Sequence, residues 1–170
     1  MSAAVAAWTA THGLEILFAA VALESVGVPI PGESSLIAAG VLASRGELHV
    51  SAVVAVATTA AIVGDNVGYV LGRWGGRRLL DRWGPLRRFS ARVLPKTERF
   101  FARYGGAAVF LGRFITGIRV AAAWMAGVSC MPWWRFLLWN ALGAIVWATV
   151  VALAGDVVGQ AARAALSHLR

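Results

Sequence analysis

The sequence contains little of the chemistry on which most enzymes and metal sites depend. It has a single cysteine, Cys130, so neither an intrachain disulfide nor a cysteine-based metal cluster can form. Its three histidines, His12, His49 and His168, lie near the ends of predicted elements, and no metal-ligand or Ser–His spacing is evident among them. We therefore expect no enzyme activity, no metal and no cofactor, and we expect Cys130 to be a small buried residue.

Charged residues are also scarce, and apolar residues are correspondingly abundant. Only 14% of the chain is charged and 59% is hydrophobic, and the mean hydropathy is +0.70. Ordinary globular domains have about 45–50% apolar residues. The eight tryptophans add to this pattern, because tryptophan is enriched at membrane–water interfaces. The composition predicts a single integral membrane domain over residues 1–170, and the lack of Lys and Arg in residues 1–12 argues against a signal peptide.

The basic residues are concentrated in one connecting segment, residues 73–104. Ten Lys or Arg and two acidic residues fall within it, so it carries the whole net charge of +8. Nucleic-acid binding is the alternative that a basic chain suggests, but a short basic segment between apolar ones is typical of a cytoplasmic loop. Apolar side chains interleaved with the arginines favour a basic amphipathic surface segment over an ordinary solvated linker. We expect it to attract anionic lipid at the cytoplasmic face and not to bind nucleic acid.

A helix-breaking stretch interrupts the first apolar part of the chain. Pro29, Pro31 and Gly32 separate an apolar run that ends at Leu23 from another over residues 36–43. Each arm has about ten residues, whereas a membrane-crossing helix needs about 20. Two short arms around a break predict a re-entrant hairpin over about 16–45, which is tolerated only where its tip is buried in protein or lines a wet cavity.

The remaining segments predict a second hairpin and two spans. Residues 50–72 contain one charge, and residues 131–159 begin at an interfacial Trp-Trp-Arg sequence; both are long enough to cross a membrane. Residues 105–128 are apolar around a break at Thr116-Gly117, which predicts the second re-entrant hairpin. With the basic segment cytoplasmic, the two hairpins enter from opposite sides. The predicted fold is therefore all-α, with two re-entrant hairpins in an inverted repeat, as in many secondary transporters.

Five charged residues are predicted at membrane depth: Glu24, Glu33, Asp65, Arg113 and Arg119. Each would cost roughly 2.5–3.5 kcal/mol at the centre of a membrane helix. Left unpaired, all five would together cost on the order of 15 kcal/mol, which is comparable to an entire folding free energy. They must therefore pair with one another, reach water, or do both.

Each of these residues also has a purely structural interpretation. For Glu24 and Glu33 the alternative is a position in the outer interface. For Asp65 it is snorkelling to the cytoplasmic side or pairing with Arg73. For the two predicted membrane arginines it is a role as partners of the acids with no ligand of their own.

A functional interpretation rests on the position of the two arginines around the Gly117 break. Across a turn, Arg113 and Arg119 could converge on one site, and guanidinium groups offer a planar fork for bidentate contact with phosphate. Helix N-termini after the break would add N–H donors. Glu24 and Glu33, where desolvated, could bind protons. These residues predict substrate binding by the arginines and proton coupling or gating by the three acids.

Three short motifs follow one another along the chain: Glu24-x4-Pro29-x-Pro31-Gly32-Glu33, Gly112-Arg113-Phe114-x2-Gly117-x-Arg119 and Asn140-x2-Gly143-x3-Trp147. Together they resemble the DedA family of bacterial membrane proteins, which share the VTT domain. The resemblance covers roughly residues 15–160. Thr116 stands where the family usually has a proline.

The resemblance implies two facing re-entrant hairpins and lipid translocation, with undecaprenyl phosphate the best supported bacterial substrate and phospholipid scrambling in relatives. It also implies dependence on the proton motive force, with essential acids at Glu24 and Glu33 and essential arginines at Arg113 and Arg119. We expect a multi-pass protein of the bacterial plasma membrane that moves a polyprenyl phosphate between leaflets, coupled to protons or sodium ions. A proton or cation antiporter, a phospholipid scramblase and a homo-oligomeric arrangement stay open.

Overall fold

The computed structural model of the protein describes residues 3–76, 99, 103–115 and 118–168. Within these stretches the chain forms six α-helices, numbered in chain order: α1 Ala3–Val26, α2 Gly32–Ser44, α3 Val50–Leu71, α4 Gly106–Gly112, α5 Ile118–Val128 and α6 Trp133–His168. A π-helical turn over Gly72–Gly76 continues α3. The described residues include no strand, so the predicted all-α class is confirmed.

Two helices are long and apolar enough to cross a membrane, judged by length and composition. They are Val50–Gly75, which joins α3 to the π-helical turn, and Trp133–Ala165 within α6. Only a third of the most apolar part of each is buried inside the protein. Large aliphatic side chains are exposed along both helices, among them Val63, Val67, Leu142 and Val150. Soluble monomers rarely expose so much contiguous apolar surface, whereas lipid tails are as apolar as these side chains.

The helix α6 continues beyond residue 159, where the predicted span ends, and reaches His168. It has 36 residues, which corresponds to a length of about 54 Å at 1.5 Å per residue. Residues 160–168 consist mainly of alanine, leucine, arginine and glutamine. These residue types favour helix, and nothing among them interrupts the backbone hydrogen bonds.

The connection between α1 and α2 contains the predicted helix-breaking residues. Gly27 has a φ of +115°, and the amide after it donates to the carbonyl oxygen of Leu23 at 3.0 Å, which closes the last turn of α1. Pro29 and Pro31 lie in the connection, where their missing N–H groups remove no helical hydrogen bond. Gly32 is the first residue of α2.

The turn between α5 and α6 contains the single cysteine, and it corrects the prediction made for that residue. Cys130 is exposed and has a φ of +54°. Its N–H donates to the carbonyl of Gly127 at 3.0 Å, and that of Met131 donates to Ala126 at 3.1 Å. This is the Schellman pattern, in which the left-handed position is usually glycine. The prediction of a buried Cys130 is wrong because the residue occupies this turn position outside the packed helices.

The helices form two compact units. The first consists of α1 through Glu24, the chain from Val28 to Ala61, and α6 from Ala144 onward. In this unit α2 crosses α6 at very short range, because a β-carbon added at Gly40 would lie 2.5 Å from the carbonyl oxygen of Ala152. Glycine at this position therefore permits a helix crossing that any other residue would force apart.

The second unit consists of residues 25–27 and 62–143. Here α5 crosses the end of α3, and a side chain at Gly127 or Gly72 would collide with a backbone carbonyl of Tyr69 or Trp124, respectively. In each unit the second helix of a predicted hairpin thus packs through glycine on a long apolar helix. The re-entrant path of the hairpins and their inverted-repeat relation stay predictions.

Two of the predicted features lie outside the described residues. The basic segment, residues 73–104, is described only at 73–76, 99 and 103–104. The break of the second hairpin at Thr116-Gly117 is not described either. The amphipathic surface character of the first and the turn at the second stay predictions.

Candidate functional site

Arg113 is at the centre of a buried polar cluster in the second unit. It follows α4 directly, and its Nη1 donates to Asp65 Oδ2 of α3 at 2.6 Å and to Asn140 Oδ1 of α6 at 2.5 Å. Arg113 is 3% exposed, Asp65 1% and Asn140 2%. Charge-assisted hydrogen bonds of this kind are short and strong. The ion pair therefore neutralises two buried charges.

The local sequence of α6 explains how this helix receives the arginine. Asn140 and Gly143 are three residues apart, so they share one face of the helix. A β-carbon added at Gly143 would lie 3.2 Å from Arg113 Cδ. The missing side chain thus leaves room for the aliphatic part of the arginine, while Asn140, one turn earlier, accepts a hydrogen bond from its guanidinium group.

Arg113 follows the end of α4, and Arg119 lies at the start of the next helix, α5. It is the second residue of α5, it is 8% exposed, and its charge acts on the Asp65 carboxylate. Its backbone N–H donates to the carbonyl of Ile115 at 3.2 Å, which ties the start of α5 to the turn after α4. The second unit therefore contains both predicted arginines, and Arg113 is in direct contact with Asp65. Arg73, the alternative partner of Asp65, is exposed.

In the two partners of Arg113, the polar atoms Asp65 Oδ1 and Asn140 Nδ2 are buried and make no hydrogen bond to any described residue. One is an acceptor and the other a donor, and leaving such a group unsatisfied costs about 1–3 kcal/mol. Buried polar groups without partners are rare in folded proteins and commonly mark a bound water, an ion or a functional site. The cluster therefore has the capacity to bind a further polar group.

Glu24 and Glu33 flank the break in the first unit. Glu24 lies in the last turn of α1 and Glu33 in the first turn of α2, and both are half-buried. A β-carbon added at Gly32 would lie 2.6 Å from Glu24 Oε2 and 2.9 Å from the carbonyl oxygen of Ala20. The Glu24 carboxylate therefore lies against the N-terminal turn of α2, whose partial positive charge favours an anion. That these acids face the arginines stays a prediction.

Asn140 is the cluster residue to which the sequence analysis assigned no role. The available signal was an amide side chain within a long apolar helix, because polar residues at membrane depth are costly and usually functional. Tyr69 is a second residue to which the sequence analysis assigned no role, and it too is a polar side chain within a long apolar helix. Its hydroxyl donates to the carbonyl of Met131 at 2.5 Å, and its ring stacks on Phe136 with centroids 4.7 Å apart. These contacts hold α3 against the start of α6.

An apolar cavity lies between α4 and α5, within the second unit. Its volume is about 440 Å³, and its lining of described residues is apolar apart from Tyr104. Gly112 and Ile118 belong to the lining, and they directly precede Arg113 and Arg119 in the chain. The cavity therefore adjoins the backbone of both arginines.

The charges of the cluster favour an anion as its ligand. In the parts of the chain that the structure describes, no group of three or more His, Cys, Asp or Glu residues could hold a metal ion. The charged residues that act on Asp65, in the described part of the chain, are Arg113 and Arg119. A set with two guanidinium groups repels cations and matches the geometry of phosphate or carboxylate.

Comparisons with known proteins identify the relatives of this chain. Residues 30–157, more than half of the chain, match the family model of the VTT domain. An uncharacterized membrane protein of Synechocystis sp. is 43% identical over 139 residues, which cover 82% of this chain and 64% of the relative. Protein DedA of Escherichia coli K12 is 36% identical over 132 residues, covering 76% and 60%. The inner membrane protein YghB of the same strain is 34% identical over 140 residues, covering 80% and 63%.

The chain spans less than two thirds of the length of these relatives. No solved structure is significantly similar to it. The family assignment rests on the VTT domain match, which extends from the break before α2 to residue 157 within α6. The chain belongs to the VTT domain family and is a membrane protein of the DedA family.

Proposed function

We propose that the protein moves a phosphate-bearing lipid between the leaflets of the bacterial plasma membrane, with undecaprenyl phosphate as its substrate. In this proposal it is a transporter and not an enzyme. The observation that carries the proposal is the burial of Arg113 and Arg119, which are 3% and 8% exposed, on both sides of one helix break in a membrane protein. Burying an arginine at membrane depth costs about 2.5–3.5 kcal/mol on insertion scales, and an anionic ligand accounts for two such residues at one place.

The surroundings of the arginines support a lipid phosphate as the anion. A guanidinium group binds two phosphate oxygens at once. The apolar cavity between α4 and α5 adjoins both arginines through Gly112 and Ile118. A phosphate monoester with a hydrocarbon tail matches this combination of a cationic cluster and an apolar cavity.

The acids supply coupling and gating in this proposal. Asp65 is in contact with Arg113, and Glu24 and Glu33 flank the break at which α2 begins. Protons or sodium ions are the coupling ions. Two re-entrant hairpins in an inverted repeat would let the site open to each side in turn. The basic segment, residues 73–104, would face the cytoplasm and gather anionic lipid there.

Leaflet-resolved transport in proteoliposomes tests the proposal. A fluorescent polyprenyl phosphate is reconstituted with the full chain, and its movement is followed with and without a proton gradient. We expect Arg119→Ala to abolish the movement, and Arg119→Lys to restore only part of it because lysine lacks the planar fork.

The matched control is Arg135→Ala, since Arg135 is exposed and lies over the ring of Trp134 at 5.1 Å. This variant should move the lipid at the wild-type rate. Arg119→Ala should fail to complement a flippase-deficient strain, whereas Arg135→Ala should complement it. Normal transport and normal complementation by Arg119→Ala would overturn the assignment.

The Asp65–Arg113 ion pair favours one alternative, a proton or cation antiporter in which the arginines only neutralise buried acids. Cation flux that is driven by a pH gradient and needs no lipid substrate, measured in the same liposomes, would decide for the antiporter. A phospholipid scramblase is the other alternative. It would move ordinary phospholipids as fast as the polyprenyl phosphate and without any gradient.

A further inference from the structure

We propose that Asp65 is an internal counter-anion that a phosphate head group displaces from Arg113, and that Asp65 takes up one proton in this exchange. The inference rests on the proposed function, because a phosphate monoester at Arg113 is what starts the exchange. It assigns the coupling between head-group binding and protonation to one carboxylate, that of Asp65. It also states how many protons are taken up for each head group that binds.

The geometry makes the head group and Asp65 competitors. Arg113 Nη1 already donates to Asp65 Oδ2 at 2.6 Å and to Asn140 Oδ1 at 2.5 Å. All three residues are at most 3% exposed, so the guanidinium group is enclosed by its partners. A phosphate oxygen that takes this nitrogen must replace one of these two oxygens, and in the proposed exchange it replaces the carboxylate oxygen of Asp65, the one of the two that a proton can neutralise.

A displaced carboxylate cannot remain charged beside the phosphate. Two anions in a buried site repel each other strongly, and a carboxyl group in that situation binds a proton. Among the described residues, the charged groups that act on Asp65 are Arg113, which follows α4, and Arg119 of α5; Asn140 of α6 contributes an uncharged amide. Once a phosphate occupies Arg113, the strongest attraction that keeps Asp65 ionised is therefore lost.

The exchange balances in charge and in protons. Before it, the positive Arg113 faces the negative Asp65. After it, a singly charged phosphate faces Arg113, and Asp65 is a neutral carboxylic acid with one new O–H bond whose proton comes from water. No bond of the lipid breaks, and the net charge of the cluster does not change. Each bound head group is thus accompanied by one proton.

The unsatisfied atoms of Asp65 and Asn140 agree with this exchange. Asp65 Oδ1 is the carboxylate oxygen that makes no hydrogen bond among the described residues, so it is available to receive the proton. Asn140 Nδ2 is a buried donor without an acceptor there. A phosphate has acceptor oxygens for both the amide N–H and the new O–H of Asp65.

Proton counting by isothermal titration calorimetry tests the proposal. The full chain in detergent is titrated with decyl phosphate in buffers of different ionisation enthalpy, which yields the number of protons taken up per ligand. The titration is run below the second pKa of the phosphate ester, which is about 6, so that the ligand is already singly charged in solution. We expect about one proton for the wild type, and an affinity that falls about tenfold for each unit by which the pH rises while Asp65 is ionised. Asp65→Asn copies the uncharged, donating state and should bind with no proton uptake and little dependence on pH.

The matched control is Asp156→Asn. Asp156 is the half-buried acid of α6, and it accepts a hydrogen bond from Gln160 at 2.8 Å. This variant should keep the wild-type proton count. Inorganic phosphate forms a second arm: uptake with decyl phosphate alone supports a lipid head group, whereas equal uptake with both ligands overturns the lipid assignment.

Three results would overturn the exchange: no proton uptake by the wild type, unchanged uptake by Asp65→Asn, or no binding of decyl phosphate. The wild-type count decides the question even if Asp65→Asn does not fold. Failure of the proposed function gives a different result. Proton-linked binding of decyl phosphate without translocation of polyprenyl phosphate would refute transport alone, and translocation without proton uptake would refute the exchange alone.

Discussion

Removing one partner of the Asp65–Arg113 ion pair should destabilise the protein more than removing both. Asp65→Leu leaves a guanidinium group in a position that is 3% exposed, and Arg113→Met leaves a carboxylate in one that is 1% exposed. An uncompensated buried charge of this kind costs about 3–5 kcal/mol. Replacing both residues by apolar side chains is often neutral, because it also removes the desolvation cost of the pair.

Thermal unfolding in detergent measures this difference. For a chain of 170 residues, a loss of 3–5 kcal/mol corresponds to a fall in Tm of about 6–20 °C. Each single variant should show a fall of this size, and the double variant should unfold within a few degrees of the wild type. Arg135→Met, at an exposed arginine of α6, controls for the loss of a positive charge. Additive losses in the double variant would show that the two charges do not stabilise each other, and would refute the reasoning.

Three further substitutions test contacts within one unit each. Gly40→Ala should lower Tm because its β-carbon would lie 2.5 Å from a backbone oxygen of α6. The control is Gly75→Ala, whose β-carbon would meet no atom within 4 Å and which should leave Tm unchanged. Equal Tm values for the two variants would contradict the close crossing of α2 and α6. Tyr69→Phe leaves the buried carbonyl that accepts from its hydroxyl unsatisfied and should lower the free energy of unfolding by about 1–3 kcal/mol in the same assay; an unchanged Tm would show that this hydrogen bond does not stabilise the protein. Gly143→Ala should push against Arg113, because its β-carbon would lie 3.2 Å from Arg113 Cδ. It should slow lipid transport in proteoliposomes and change Tm little. An unchanged transport rate would show that the space beside Gly143 is not needed for the position of Arg113.

Local features of the sequence were enough to predict the structural class and the family of the protein. Long apolar runs separated by Pro and Gly predicted an all-α membrane protein, because hydropathy and helix breaking depend on neighbouring residues. The motifs around Glu24, Arg113 and Asn140 pointed to the DedA family, and the VTT domain match agrees with them. Local reasoning failed at Cys130, because a cysteine in a glycine-like turn position has no distinctive sequence pattern.

The contacts of the site could not be read from the sequence in the same way. Asp65 had Arg73, solvent at the cytoplasmic side and the two membrane arginines as possible partners, and its ion pair is with Arg113, 48 positions further along the chain. Asn140 joins the cluster across 27 positions. Separations of this size say nothing about distance in space until the helices pack, so every candidate pairing looked equally possible.

The sequence by itself determined that the chain is helical and that it is a membrane protein of the DedA family, and it predicted five charges at membrane depth. Only the tertiary structure decided that Arg113 pairs with Asp65, that Asn140 shares the same guanidinium nitrogen, and that Gly143 leaves space for the arginine. The physical reason is the range of the forces. Hydropathy and helix propensity act along the chain, whereas an ion pair at 2.6 Å depends on how three separate helices are packed.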